Sequence, residues 1–226
     1  MRLGSERQRG LYMFGNFHFD PHQFIISIVV LVCSIALHEF GHAYSADYLG
    51  DPGPRRDGRI TLWPDKHFEP VGFFMMVVSS LVGFGIGWGK PVTVNPRYFK
   101  HPNRDMMIVT ACGPLMNLLL ALVFGLSLRV MRSQAQFAPE SLMAEFFQTF
   151  TWINLSLMFF NLIPVPPLDG SKILYGLLPI DLASRYERFM AQYGMLFIMV
   201  LFLTGAAGWI IGPAVQHAYD LILGGI

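Results

Sequence analysis

Three ionisable residues fall within five positions of the stretch SIALHEFGHAYSADYLG, residues 34 to 50: His38, Glu39 and His42. They fit the pattern H-E-x-x-H. On a helix, residues four apart share a face, so His38 and His42 can turn imidazole nitrogens toward one zinc ion. Glu39 stands beside them, where it can take a proton from water that the metal activates. The chemistry such a set performs is metal-assisted hydrolysis. The three residues follow directly on the apolar run FIISIVVLVCSIAL. Ionisable groups at membrane depth cost roughly 2.5–3.5 kcal/mol each on insertion scales, and they are rarely kept there without a function.

A catalytic zinc takes three protein ligands and leaves a fourth position open. His18, His22, His67, His101 and His217 lie in polar connections or near chain ends and read as interfacial residues. Far downstream, FFNLIPVPPLDGSKILYGLL embeds one carboxylate, Asp169, in an otherwise apolar passage. Pro164, Pro166 and Pro167 break the helix there and free backbone groups, which is tolerated at membrane depth only inside protein or beside a wet cavity. Asp169 is the best third ligand in the chain.

These residues need elements to carry them. Of 226 residues, 53% are hydrophobic and only 14% charged, against about 25% charged in ordinary soluble domains. The expected fold class is an all-α integral membrane protein, a bundle of about four to five transmembrane helices forming one multi-pass domain over 1–226. A polar segment, 1–22, precedes a catalytic core, 23–175, and an additional transmembrane helix, 190–212, follows it. The apolar stretches are about 23–49, 71–88, 106–131, 146–168 and 190–212. All but the second have the roughly 20 residues that a hydrocarbon core of about 30 Å requires. The second is marginal and ends among Gly83, Gly85, Gly87 and Gly89. For Asp169 to reach the histidines, the first and fourth segments must run parallel, so 71–88 is expected to be re-entrant. That choice puts eleven of the sixteen Lys and Arg on one side, with the metal site toward the cytosolic face and the N-terminus outside. KPVTVNP, residues 90–96, alternates like a short strand and supplies the expected β element near the site. A formal charge of +1 shows no nucleic-acid footprint, and Cys33 and Cys112, both within apolar runs, read as small buried hydrophobes.

HEFGH on an apolar helix followed by NLIPVPPLDG resembles the site-2 protease family of intramembrane zinc metalloproteases. ACGPLMN resembles that family's Gly-Pro-x-x-Asn element, and LGDPGPRRDGRITLWPDKHFEPVG with GWGKPVTVNP is similar to its compact prokaryotic branch, without PDZ or CBS domains. The likeness covers roughly residues 24 to 175. It implies one zinc per chain held by His38, His42 and Asp169, with Glu39 as catalytic base and Asn161 as a polar residue near the substrate. It also implies regulated intramembrane proteolysis of a transmembrane protein substrate in the cell membrane.

Two asparagines remain open between roles. Asn161 is a donor to a substrate carbonyl or oxyanion, or a cap or interhelical bond. Asn117, in GPLMN, is a second substrate-side candidate, with interhelical bonding beside Gly113 as the favoured reading. KPVTVNP either holds an unwound substrate by strand addition or only supports the fold. The competing functions are a non-catalytic metal-binding membrane protein, which does not need Glu39, and a small transporter, which would show internal repeats.

Overall fold

A computed structural model describes residues 20–81, 87–134 and 141–224. Most of the expected N-terminal polar segment and residues 82–86 of the second apolar stretch lie outside them. Helix α1, Pro21–Tyr48, opens with Asp20 as N-cap, its carboxylate accepting from the His22 and Gln23 amides, and with proline at the first helical position. A four-residue turn of helix, α2 (Gly53–Arg56), leads through a loop to α3, Pro70–Leu81. The long α4, Pro102–Ser133, is followed by α5, Leu142–Asn161. The proline-rich break leads into α6, Asp169–Leu177, then α7, Ile180–Leu203, and α8, Ala206–Leu223.

α4 is the axis of the molecule and packs on α1, α5, α6 and α8. Its buried stripe is Val109, Gly113, Asn117, Ala121, Gly125 and Leu128, while Leu115, Leu119, Val123, Leu126 and Val130 are exposed. Both stripes recur at three to four residues, as one face and its opposite must on a helix. The distribution of polarity is inverted with respect to a water-soluble protein. Ser34, Asn117, Thr151 and Asn154 are fully buried, whereas bulky apolar side chains cover the outside. Hydrocarbon solvates such a surface and water does not. Apolar contacts knit the bundle: Ala121, Leu155, Met158, Val215 and Ile222 join α4, α5 and α8, and Ile26, Val30 and Phe150 join α1 to α5.

The fold is all-helical among the described residues, but the helix inventory differs from the sequence expectation. Among the described residues two helices, α1 and α4, are long and apolar enough to cross a membrane, and the bent pair α7–α8 makes up to three. α5 has 20 residues but dilutes its apolar character with Glu145, Gln148, Asn154 and Asn161. The apolar run at 190–212 is not one helix: α7 ends at Leu203, Gly205 adopts φ 66°, and α8 leaves at 73°. The expected strand at 90–96 has no ladder partner among the described residues. Two of its amides go to side chains instead, Val92 N–H to Glu39 and Asn95 N–H to Asp51.

At 12 residues, α3 is about 18 Å long, well short of a hydrocarbon core. The chain returns beside the point where it departed. Lys90 N–H donates to His67 O at 2.8 Å, Gly87 lies against Met76, and the Trp88 carbonyl lies against Gly72.

Candidate metal centre

Three elements build the site. α1 presents His38 and His42 one turn apart on the face it packs against α4. α5 ends at Asn161, and seven residues containing Pro164, Pro166 and Pro167 turn the chain so that Asp169 becomes the first residue of α6. Gly170, next to it, packs onto the Leu162 and Ile163 carbonyls, so any larger residue would push the carboxylate away. Asp169 Oδ2 lies 3.1 Å from His38 Nε2 and 3.4 Å from His42 Nε2, and the two Nε2 atoms are 3.1 Å apart. The histidines are under a tenth exposed.

The hydrogen bonds on the far side of each ring decide what these three atoms are. His42 Nδ1 is 2.9 Å from the Val109 carbonyl, and a carbonyl only accepts, so Nδ1 carries the proton. His38 Nδ1 is 2.7 Å from Asn117 Oδ1 and is likewise the donor. In neutral imidazoles both Nε2 atoms are then bare lone pairs. Asp169 Oδ2, buried and with no hydrogen-bond donor, is the third. Three acceptors facing one another within 3.4 Å repel unless a cation lies among them. Ligand atoms about 2.0–2.2 Å from one tetrahedral ion lie about 3.3–3.6 Å apart, within a few tenths of an ångström of the three separations here. The donor set and its spacing therefore fit a metal ion, and two imidazoles with one carboxylate suit zinc.

α4 is shaped for this contact. Val109, Gly113 and Asn117 are four apart, so the two groups that hold the rings flank a glycine. A Cβ on Gly113 would overlap His42 and come within 2.7 Å of His38 Cε1. Gly41 makes the matching approach from α1, where a Cβ would meet the Cys112 carbonyl at 2.7 Å.

Glu39 is half-buried beside the ligands, and its Oε2 accepts from Val92 N–H at 3.0 Å. The extended segment carrying Val92 is fastened at both ends. Asp51, 1% exposed, accepts from Gly53 N–H at 2.9 Å and Asn95 N–H at 2.7 Å. The buried Arg59 donates to the carbonyls of Lys66 and Lys90. Burial pulls the Arg59 guanidinium below its ordinary value, and the Glu39 carboxylate opposes that shift.

Of the residues singled out by sequence, His38, His42 and Asp169 come together, and Glu39 borders them. Asn161 is engaged within its own helix, donating to the Leu157 carbonyl at 2.9 Å. Asn117 lies behind His38 instead of facing the open side of the cluster. Sequence reasoning passed over Asn154, which bonds Asn117 at 2.9 Å, although a lone amide in FTWINLSLMFF was a signal at membrane depth. It also passed over Arg59, for which a charge in a polar loop gives no signal.

Residues 127–201 match the model of peptidase family M50, a span that contains Asp169 but neither histidine. The "Putative zinc metalloprotease YwhC" of Bacillus subtilis is 34% identical over 202 residues, covering 87% of this chain and 88% of that protein. The "Putative zinc metalloprotease Rip2" of Mycolicibacterium smegmatis is 35% identical over 191 residues, 81% of this chain and 68% of that protein. Its namesake in Mycobacterium tuberculosis strain H37Rv is 30% identical over 206 residues, 88% of this chain and 74% of that protein. No solved structure matches the chain.

Proposed function

The chain belongs to peptidase family M50, the site-2 protease family, and from that premise we propose that it hydrolyses a peptide bond within or beside a transmembrane helix of a membrane-protein substrate. The observation that carries this reading is the convergence of three bare acceptor atoms, from His38, His42 and Asp169, next to a carboxylate that is not one of them. His38, His42 and Asp169 hold one zinc ion; Glu39 is the catalytic base. Zinc, when bound, supplies a Lewis acid that activates water and polarises the scissile carbonyl.

The remaining work belongs to the chain. Asn117 and the Val109 carbonyl hold the two rings so that Nε2 faces the centre. Glu39 has Oε2 occupied by Val92 N–H, so Oε1 takes the proton from water and later delivers it to the leaving amine. The break at 162–168 removes helix between α5 and α6 and is where water enters. A helical substrate hides its carbonyls and must open before attack. The extended segment 90–95 is suited to receive it. Lys90 and Val92 direct their amides toward the body of the protein. By the alternation of an extended chain, the Pro91 carbonyl and the Thr93 amide and carbonyl form the opposite edge, open for strand addition. Asn161 is the polar group on the substrate side once its intrahelical bond is exchanged.

The whole chain forms one multi-pass domain of the cell membrane, with four to five segments entering the bilayer and 71–88 re-entrant. The return of Lys90 to His67 supports that topology, and the Lys/Arg distribution supports a site toward the cytosolic side. The test is a panel of synthetic transmembrane segments presented to the purified protein in proteoliposomes, with products read by mass spectrometry. Wild type is expected to cut at least one segment, and Glu39→Gln to hold zinc without cutting. Cleavage by Glu39→Gln at the wild-type rate would remove Glu39 as base and with it the mechanism.

A further inference from the structure

Behind His38 lies a chain of buried polar groups of which the hydrolytic reading uses only the first, Asn117. Asn117 Oδ1 is 2.7 Å from His38 Nδ1, and Asn117 Nδ2 donates to Asn154 Oδ1 at 2.9 Å. Asn154 Nδ2 donates to Ser34 Oγ at 2.8 Å and to the Phe150 carbonyl at 2.9 Å. Ser34, Asn117 and Asn154 are all fully buried and come from three helices, α1, α4 and α5.

The chain has only one polarity. The Phe150 carbonyl is an acceptor and nothing else, so the amide nitrogen of Asn154 must face it. That leaves Asn154 Oδ1 to face Asn117, which turns the Asn117 nitrogen toward Asn154 and its oxygen toward His38. An oxygen at that position accepts, so His38 carries its proton on Nδ1 and presents a bare Nε2 to the centre. Reversing any member sets donor against donor or acceptor against acceptor among fully buried groups, where each unsatisfied group costs about 1–3 kcal/mol. His42 needs no such chain, because its partner is a backbone carbonyl.

We propose that Asn154, through Asn117, is a positioning residue that sets the tautomer and rotation of His38 from 15 residues before Asp169. This rests on reading His38 as a zinc ligand. Outer-shell partners of this kind typically alter metal affinity by about 10–100-fold. Asn154 bonds none of the three metal ligands itself; its hydrogen bonds go to Asn117, Ser34 and the Phe150 carbonyl, and Asn117 is the member that continues to His38.

The experiment is zinc affinity by chelator competition on the full-length protein in detergent, alongside the melting temperature of the zinc-free form. Asn154→Leu is expected to weaken zinc by about tenfold or more. Asn154→Asp still accepts from Asn117 Nδ2 in either protonation state and is expected to stay within about threefold of wild type, since it loses only contacts remote from the ligand. Two results would overturn the proposal: both variants binding like wild type, or both weakened alike. A measurement without variants stands beside this one. In the wild type, nitrogen NMR of labelled histidine is expected to find a proton on His38 Nδ1, and a bare Nδ1 would overturn the chain's polarity. A wild type that holds no zinc defeats the metal centre itself; a wild type that holds zinc while Asn154→Leu is unchanged defeats only the relay.

Discussion

Gly113→Ala separates helix propensity from site geometry, because the two predict opposite signs. In an exposed helix interior, Gly to Ala stabilises by about 0.8–1.0 kcal/mol. At this position the new Cβ would overlap His42 and lie 2.7 Å from His38 Cε1, whereas ordinary contact begins near 3.4 Å. Relieving the second clash alone moves α4 from α1 by about 0.7 Å, several times the roughly 0.2 Å by which metal–ligand distances can vary. The same displacement stretches both outer bonds at once, since Val109 and Asn117 lie one turn to either side and hold the rings at 2.9 and 2.7 Å. The expected outcome is a loss of zinc affinity of at least about tenfold, with a destabilisation of about 1–3 kcal/mol typical of overpacking. Chelator competition and thermal unfolding of the zinc-free form read the two effects. A Gly113→Ala protein that melts higher and binds zinc as wild type does would refute the close approach of α4 to the ligand rings.

Two further outcomes follow from the loop. Arg59→Met removes two charge-assisted bonds to the Lys66 and Lys90 carbonyls, each worth about 1.5–3 kcal/mol, and frees the segment lying on Glu39. Hydrogen exchange at Val92 should quicken by tenfold or more with zinc binding retained, and unchanged exchange would show that Arg59 does not hold the segment. Burial lowers the pKa of His67, with its bond to the Thr61 carbonyl opposing the shift. The unfolded chain therefore takes up that proton first, so this contribution to stability is complete above about pH 6.5 and is lost on acidification. His67→Gln should flatten the acid limb of the zinc-free stability profile, and an unchanged limb would assign it to other groups.

What the sequence revealed depended on how local the cause was. His38, Glu39 and His42 declare themselves because a helix repeats every four residues, so their meeting needs no tertiary knowledge. Asp169 was legible for a different reason: a carboxylate beside three prolines in an apolar passage is costly wherever the chain folds. The end of α5 was marked by those same prolines. The break at Gly205 was hidden because apolar residues continue through it, and hydropathy does not register a φ of 66°. α4 begins at Pro102, four residues before its apolar run, because the polar first turn of Asn103, Arg104 and Asp105 is helical without being hydrophobic. The single extended segment at 90–95 alternates like a strand, but its partners are the carboxylates of Glu39 and Asp51, 53 and 44 residues away. Asn154 and Arg59 share that difficulty, since each acquires its role from groups brought near only by the folded chain.

The central claim is that two segments more than a hundred residues apart share one metal ion. Bound zinc per chain, measured by elemental analysis of gently purified wild type and Asp169→Ala, tests it without knowledge of any substrate. One zinc per wild-type chain, lost or greatly weakened in Asp169→Ala, is the predicted result. Zinc retained unchanged by Asp169→Ala, or absent from wild type after zinc is added back, would contradict it.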